Sequence, residues 1–215
     1  MEKDGRSPIL VAVLVLFWPL YLFRFLLVEM GNPAESCFAV WTPLDDVIPF
    51  CEWFLIPYLA WYAGIVGIHL YTFATDVESF KRYSVYLLTT AGISTAIFLL
   101  FPTCQNLRPE NFPRDNLLTE GVRLLYAMDT NTNVLPSEHV TGAIGVYLCA
   151  KRTRGLDSSG MRCLAGIFAG TVCLSTVFLK QHSVLDVLAA MPVSAIGAWI
   201  AWGRGIGIYG KTGKA

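Results

Sequence analysis

The sequence contains a histidine followed four residues later by an aspartate, His182 and Asp186. In a helix, side chains at this spacing stack on one face. A carboxylate that accepts a hydrogen bond from one ring nitrogen fixes the histidine tautomer and leaves the other nitrogen free as a nucleophile. The pair therefore predicts an oriented, nucleophilic histidine.

A second histidine, His139, opens another apolar segment just after Pro136 and Ser137. Proline and serine favour a helix start, whose free N–H groups attract anions. His139 is placed to protonate a leaving oxygen, and general acid catalysis typically contributes about 10²–10⁴-fold. Arg108 and Lys180 can neutralise phosphoryl oxygens. Together these residues predict phosphoryl transfer from a phosphate ester.

The composition predicts a membrane protein built as a single domain over residues 1–215. Hydrophobic residues make up 54% of the 215 residues and charged residues only 15%, against about a quarter in soluble domains. Too few polar groups remain to cover a water-soluble globule. The net charge is zero, so nothing in the overall charge indicates a nucleic-acid partner. The six cysteines form no C-x-x-C pair or zinc-ligand spacing.

A bilayer core of about 30 Å needs roughly 20 apolar residues in a helix. Six segments meet or approach this length, and we expect all of them to be helical. They are Ile9–Val28, Cys51–Phe73, Tyr83–Pro102, Val134–Ala150, Met161–Leu179 and Leu185–Gly203. The predicted fold is an all-α bundle of six transmembrane helices, its first span retained rather than cleaved as a signal peptide.

Positive charge separates the two sides of this bundle. Eleven of the sixteen basic residues fall on the side that carries both termini and the second and fourth connections. They are Lys3, Arg6, Lys81, Arg82, Lys151, Arg152, Arg154, Arg162, Arg204, Lys211 and Lys214. The positive-inside rule makes that side cytoplasmic. The two site histidines then lie at the extracytoplasmic face, and we expect the protein in the plasma membrane.

The three segments that carry these residues resemble the type-2 phosphatidic acid phosphatase superfamily of six-span lipid phosphatases and phosphotransferases. The family pattern is K-x6-R-P, then P-S-G-H, then S-R-x5-H-x3-D. The chain has Arg108-Pro109 for the first motif and Pro136-Ser137-Glu138-His139 for the second. For the third it has Ser175-Thr176, then His182 and Asp186 at the family spacing. The resemblance covers roughly residues 101–186.

This resemblance implies a role for each site residue. His182 would attack phosphorus and form a phosphohistidine, Asp186 would orient it, and His139 would act as general acid and then general base. The phosphate-binding residues would be Arg108, Ser137, Lys180 and Ser175. No metal or other cofactor is implied.

The resemblance also implies a substrate class, a lipid phosphate or pyrophosphate in the bilayer, and hence a lipid phosphatase. One alternative is a phosphotransferase that moves a phospho-headgroup to an alcohol such as ceramide or diacylglycerol. A second alternative is a lipid-binding or transport protein that kept the scaffold and lost catalysis.

The motifs depart from the family at three positions. Phe101 stands where the family has lysine, Thr176 where it has arginine, and Glu138 where it has glycine. Lys180, one helical turn beyond Thr176, is placed to return the lost charge. These departures make the chain similar to a divergent branch that includes sphingomyelin and inositol-phosphoceramide synthases. Three roles stay open for Glu138: partner of the base, ligand of an acceptor hydroxyl, or simple helix-start acid.

Charged residues elsewhere receive plainer interpretations. Arg24 is expected to snorkel toward the interface, and His69 to be structural. The acids of the first outer connection are expected to be solvated loop charges, with lining of the outer pocket as the alternative. They are Asp45, Asp46 and Glu52.

Two features of the outer connections leave alternatives. Residues 115–128 place Leu118, Val122 and Leu125 on one face at helical spacing, so the segment is either an interfacial lid helix or a solvated loop. Three cysteines also fall on this side, where a disulfide is compatible with an oxidising compartment. We expect them to be free. They are Cys37, Cys51 and Cys104.

Overall fold

A computed structural model describes residues 8–31 and 37–203, and this part of the chain is mostly helical. Its longer elements are α1 (Pro8–Gly31), α3 (Leu55–Thr75), α4 (Val77–Leu100), α5 (Leu117–Met128), α6 (Glu138–Ala150), α7 (Ser159–Phe178) and α8 (Val184–Trp202). The short ones are β1 (Phe38–Ala39), α2 (Pro43–Val47), a 3-10 turn (Glu52–Phe54) and β2 (Thr103–Cys104). The basic residues expected inside at the two termini lie outside the described ranges. They are Lys3, Arg6, Arg204, Lys211 and Lys214.

Five helices in the described ranges are long and apolar enough to cross a membrane, which marks the chain as a membrane protein. They are α1, α3 with its preceding turn, α4, α7 and α8. Their bounds follow the predicted spans except at the start of α4, which begins six residues earlier, at Val77. There the Asp76 side chain accepts a hydrogen bond from the backbone N–H of Ser79 and caps the helix at its polar end.

The remaining predicted span, 134–150, contains a helix of only 13 residues, α6. Ser137 caps it, its side chain accepting from the Val140 N–H at 3.4 Å, and the residues before it are not helical. Thirteen residues rise about 20 Å, which is less than a bilayer core. Every residue of α6 is buried or half-buried, because α3, α4, α7 and α8 all pack against it.

Close packing around α6 depends on two glycines. A Cβ added at Gly142 would collide with the Trp61 ring, and one at Gly145 with the Tyr86 ring. The aromatic side chains of α3 and α4 therefore rest directly on the α6 backbone. This short helix lies at the centre of the bundle. It begins at Glu138, so His139 is in its first turn.

The first and second outer connections are joined to each other. β1 pairs in parallel with β2, Phe38 opposite Thr103 and Ala39 opposite Cys104. A disulfide beside this pairing links Cys37 to Cys104. The expectation that all three outer cysteines are free is therefore wrong for these two, while Cys51 is free.

Residues 117–128 form a helix rather than a solvated loop. The predicted inner face of α5 is buried at Val122 and Leu125 and packs with Leu55, Tyr58 and Leu179. Asn116 caps the helix by accepting from the N–H groups of Leu118 and Thr119. The amphipathic pattern is thereby confirmed, and α5 covers the outer end of α3.

Candidate active site

His182 and Asp186 meet as their spacing predicts. His182 Nδ1 lies 3.2 Å from Asp186 Oδ2 and 3.0 Å from the carbonyl oxygen of Val134. Both partners only accept hydrogen bonds, so Nδ1 must carry the proton. In the neutral ring the lone pair then resides on Nε2, which makes no hydrogen bond to any residue in the described ranges. The arrangement leaves Nε2 chemically available as a nucleophile.

A tight connection between α7 and α8 sets this geometry. Lys180 adopts the left-handed conformation, with φ of 54°, and the N–H groups of Gln181 and His182 both donate to the Thr176 carbonyl. Ser183 then caps α8, its own N–H donating to Asp186 Oδ2 at 2.9 Å. His182 is thus fixed just before the helix start, and Asp186 is fixed by the cap itself.

A second carboxylate, Asp45, holds this helix start from the first outer connection. It accepts from Ser183 Oγ at 2.6 Å, from the Val184 N–H at 2.8 Å and from the Thr42 N–H at 2.7 Å. Burial disfavours its charge, but these hydrogen bonds outweigh that cost and hold the pKa of Asp45 below its ordinary value. Its side chain is 1% exposed, so the expectation of a solvated charge is wrong.

The sequence did carry a signal for Asp45. Thr42-Pro43-Leu44-Asp45 has the spacing of a capping box with proline at the first helical position, and α2 begins there. That pattern predicts the bonds to Thr42. It does not predict the bonds to Ser183 and Val184, which join distant parts of the chain.

His139 lies beside His182 in an aromatic surround. Its ring stacks on Tyr58 at 4.1 Å between centroids and lies 4.2 Å from Trp61, while the two histidine rings are 6.2 Å apart. The Ser137 N–H donates to the Asp186 carbonyl at 3.2 Å, which ties the start of α6 to the start of α8. The fold therefore brings both histidines, Asp186 and Ser137 together.

Glu138 points instead toward α1. Arg24 Nη1 and Nη2 lie 2.8 and 2.6 Å from its two carboxylate oxygens, and the Tyr21 hydroxyl donates to it at 3.2 Å. Arg24 also donates to Thr95 Oγ1 at 2.7 Å. The sequence suggested that Arg24 snorkels toward the interface. Its side chain instead points into the bundle and pairs with Glu138. Glu138 is a neutralised helix-start acid in this arrangement.

The other expected phosphate ligands make their hydrogen bonds elsewhere. Arg108 donates to the carbonyls of Tyr126, Asp129 and Thr130 and to Gln181 Oε1. It thereby secures the segment between α5 and α6.

Lys180 and Ser175 are likewise engaged away from the histidine pair. The Lys180 ammonium donates to the carbonyls of Asp45 and Ile48 and lines an outer pocket with Trp41 and Asp46. Ser175 is buried in α7 and donates to the Val172 carbonyl at 2.6 Å.

Three other residues were interpreted from the sequence, and the structure places each of them. Glu52, expected to be solvated, is fully buried and forms a fork with Arg114 at 2.6 and 3.0 Å. This pair attaches the segment before α5 to the start of α3. His69 is buried in the core and bonds to Ser84 Oγ at 2.8 Å, in keeping with a structural role. Asp46 is exposed and accepts from the Trp41 ring N–H.

Compared with known proteins, the chain matches no family model, no curated protein and no solved structure.

Proposed function

We propose that the protein is an integral membrane enzyme that transfers the phosphoryl group of a lipid phosphate or pyrophosphate to water through a phosphohistidine. The observation that carries this proposal is the pair of acceptors on His182 Nδ1, which leaves Nε2 as the free nucleophilic nitrogen. The motif resemblance around His139 and His182 supports the same chemistry.

The two histidines are close enough to act on the same substrate. Their ring centres are 6.2 Å apart, so one phosphoryl group in the site can be in reach of both rings. An acid must lie within about 3 Å of the oxygen that it protonates. His182 Nε2 attacks phosphorus, the ester P–O bond breaks, and His139, acting as the imidazolium, gives one ring proton to the departing oxygen and becomes neutral.

The second half-reaction reverses these roles. His139 takes a proton from water, the water oxygen attacks phosphorus, and the P–N bond to His182 breaks with release of inorganic phosphate. Both histidines return to their starting protonation states. Because α6 begins at the site, its first N–H groups and positive dipole end attract the phosphate. Arg24 neutralises Glu138, which keeps that helix start attractive to an anion.

We further propose that α6 serves as the sixth crossing and that the site faces the extracytoplasmic side. A short helix enclosed by protein does not have to match the thickness of lipid. The site lies at the same end of the bundle as the Cys37–Cys104 disulfide, a bond typical of oxidising compartments. The opposite connection, between α6 and α7, carries Lys151, Arg152 and Arg154, as the positive-inside rule requires of a cytoplasmic loop.

The enzyme activity is tested with purified protein in detergent, a panel of labelled lipid phosphates, and EDTA. We expect phosphate release without added acceptor, an acid-labile and base-stable phosphoprotein, and loss of both in His182→Gln. His69→Gln is the matched control, because it removes the remaining histidine while keeping an amide that can bond to Ser84. Full activity of His182→Gln would contradict the mechanism.

The same assay distinguishes the alternatives. Turnover only with an added alcohol, such as diacylglycerol or ceramide, identifies a phosphotransferase. Lipid binding without turnover identifies a scaffold that lost catalysis. Orientation is tested with Glu110→Cys and Asp157→Cys, both at exposed positions. Each is placed in a background in which the free thiols of Cys51 and Cys163 are changed to serine. An impermeant maleimide added to intact cells should label the first and leave the second unlabelled until permeabilisation.

A further inference from the structure

An apolar groove runs along the membrane-facing side of the bundle between α1 and α4. Its volume is about 610 Å³, and its walls include Ala12, Leu16 and Leu20 of α1 and Leu88 and Gly92 of α4. All of these positions lie inside two of the candidate membrane spans. The groove therefore opens to hydrocarbon rather than to water.

The groove has one polar end. Tyr21 and Arg24 are the polar side chains of its lining, and both bond to Glu138 in the first turn of α6. Glu138 precedes His139, so the polar end lies beside the helix start that attracts the phosphate. From Ala12 to Arg24 the helix rises about 18 Å, close to the roughly 15 Å of one leaflet's hydrocarbon.

We propose that this groove holds a hydrocarbon chain of the lipid phosphate substrate, with the substrate's polar head at the Tyr21–Arg24 end. This inference rests on the proposed function and adds its substrate class, an amphiphile with a chain long enough to fill one leaflet. A lipid phosphate has a long apolar chain and a single polar head, and the groove has the same arrangement, with apolar walls and one polar end. Because the polar end is level with the start of α6, a seated chain places the head group at the depth of the two histidines.

Two glycines provide a matched test. A Cβ added at Gly92 or at Gly67 meets nothing within 4 Å, and both positions are exposed on membrane-spanning helices. Only Gly92 lines the groove, so Gly92→Phe fills it whereas Gly67→Phe adds the same ring on α3. We expect Gly92→Phe to raise KM for a long-chain lipid phosphate roughly tenfold, since each buried methylene is worth about fourfold in affinity. KM for a short-chain analogue and kcat should stay unchanged, and Gly67→Phe should match the wild type throughout.

A second measurement does not depend on turnover. A lipid phosphate with a photoreactive group in its chain is crosslinked to wild type and to His182→Gln, and the labelled peptides are identified by mass spectrometry. We expect labelling on α1 and α4 that an excess of unlabelled lipid phosphate competes away and phosphatidylcholine does not. Labelling that both lipids displace equally, or equal KM values for the two glycine variants, would overturn the groove assignment. If one of these two results is found and His182→Gln is inactive, the groove assignment fails but the proposed function stands. If His182→Gln is active, the proposed function fails whatever the crosslinking shows.

Discussion

Arg24 and Glu138, 114 positions apart in sequence, meet in a two-pronged ion pair between α1 and the first turn of α6. The side chains are 21% and 14% exposed, so water screens the pair only slightly. Paired, planar hydrogen bonds between guanidinium and carboxylate are among the stronger polar contacts in proteins. The pair attaches α1, whose other faces are largely exposed, to the helix that begins the candidate site.

Breaking one side of this pair should cost more than removing both. Arg24→Ala leaves a carboxylate without its counterion beside His139, and such a loss typically costs about 3–5 kcal/mol. We expect Glu138→Ala to destabilise similarly and the double variant to regain most of the loss. The check is a double-mutant cycle on unfolding in detergent. Strictly additive effects of the two single changes would show that the residues do not interact.

The second acceptor on His182 Nδ1 predicts a graded effect at Asp186. Asp186→Asn removes a charged hydrogen-bond partner, worth about 1.5–3 kcal/mol, and we expect kcat to fall about 10–100-fold. The Val134 carbonyl at 3.0 Å still accepts from Nδ1, so activity should exceed that of His182→Gln. Steady-state kinetics on a lipid phosphate measure both. Equal inactivity of the two variants would mean that the carbonyl alone does not hold the tautomer.

Asp45 should make stability depend on pH in the acid range. Its folded-state pKa is lowered by the bonds from Ser183, Val184 and Thr42, so its contribution is full above the unfolded pKa of about 3.9. That contribution is lost as the pH falls through the lower folded value. Asp45→Asn should therefore cost about 2 kcal/mol at neutral pH, since hydrogen bonds to charged groups are worth about 1.5–3 kcal/mol each.

Unfolding in detergent as a function of pH tests this sign. The difference between wild type and Asp45→Asn should stay constant from neutral pH down to about pH 5 and shrink below about pH 4. Asp46→Asn is the neighbouring control, because Asp46 is exposed and, within residues 8–31 and 37–203, its side chain bonds to the Trp41 ring alone. A difference that grows toward acid pH would contradict the bonding of Asp45.

The number of reactive thiols tests the disulfide without an activity assay. Four free thiols, those of Cys51, Cys149, Cys163 and Cys173, should react with maleimide in denatured, unreduced protein, and all six after reduction. Cys104→Ser should lower stability by about 2–4 kcal/mol, the usual effect of losing a disulfide. Cys51→Ser should change it little. Six reactive thiols before reduction would exclude the Cys37–Cys104 bond.

Features set by local pattern could be predicted from the sequence. Hydropathy located five long helices within a few residues, except at the start of α4, because a membrane span is an apolar run of fixed length. Spacing predicted the His182–Asp186 contact, although His182 lies just before α8 and the contact forms across the helix N-cap rather than within a helical turn. Helical periodicity identified the buried face of α5 at Val122 and Leu125.

Features set by distant contacts could not be predicted in the same way. From the sequence alone, Asp45 is expected to be a solvated carboxylate in a loop. Only the folded chain shows that it bonds to Ser183 and Val184. Arg24 has the position of a snorkelling residue, yet the bundle places Glu138 within reach. No local period encodes such pairings. They follow from which helices pack together, and in this bundle α6 packs against α3, α4, α7 and α8.

Arg108 offers a direct test between a structural role and a ligand role, because its guanidinium bridges the carbonyls of Tyr126, Asp129 and Thr130. Lysine retains the charge but has no planar fork. If the bridge is its main role, Arg108→Lys should lower stability by about 1–3 kcal/mol and speed proteolysis between residues 107 and 116. Inhibition by inorganic phosphate should then stay as in wild type. Weaker phosphate inhibition with unchanged stability would instead place Arg108 on the phosphoryl group, as the sequence motif alone predicts.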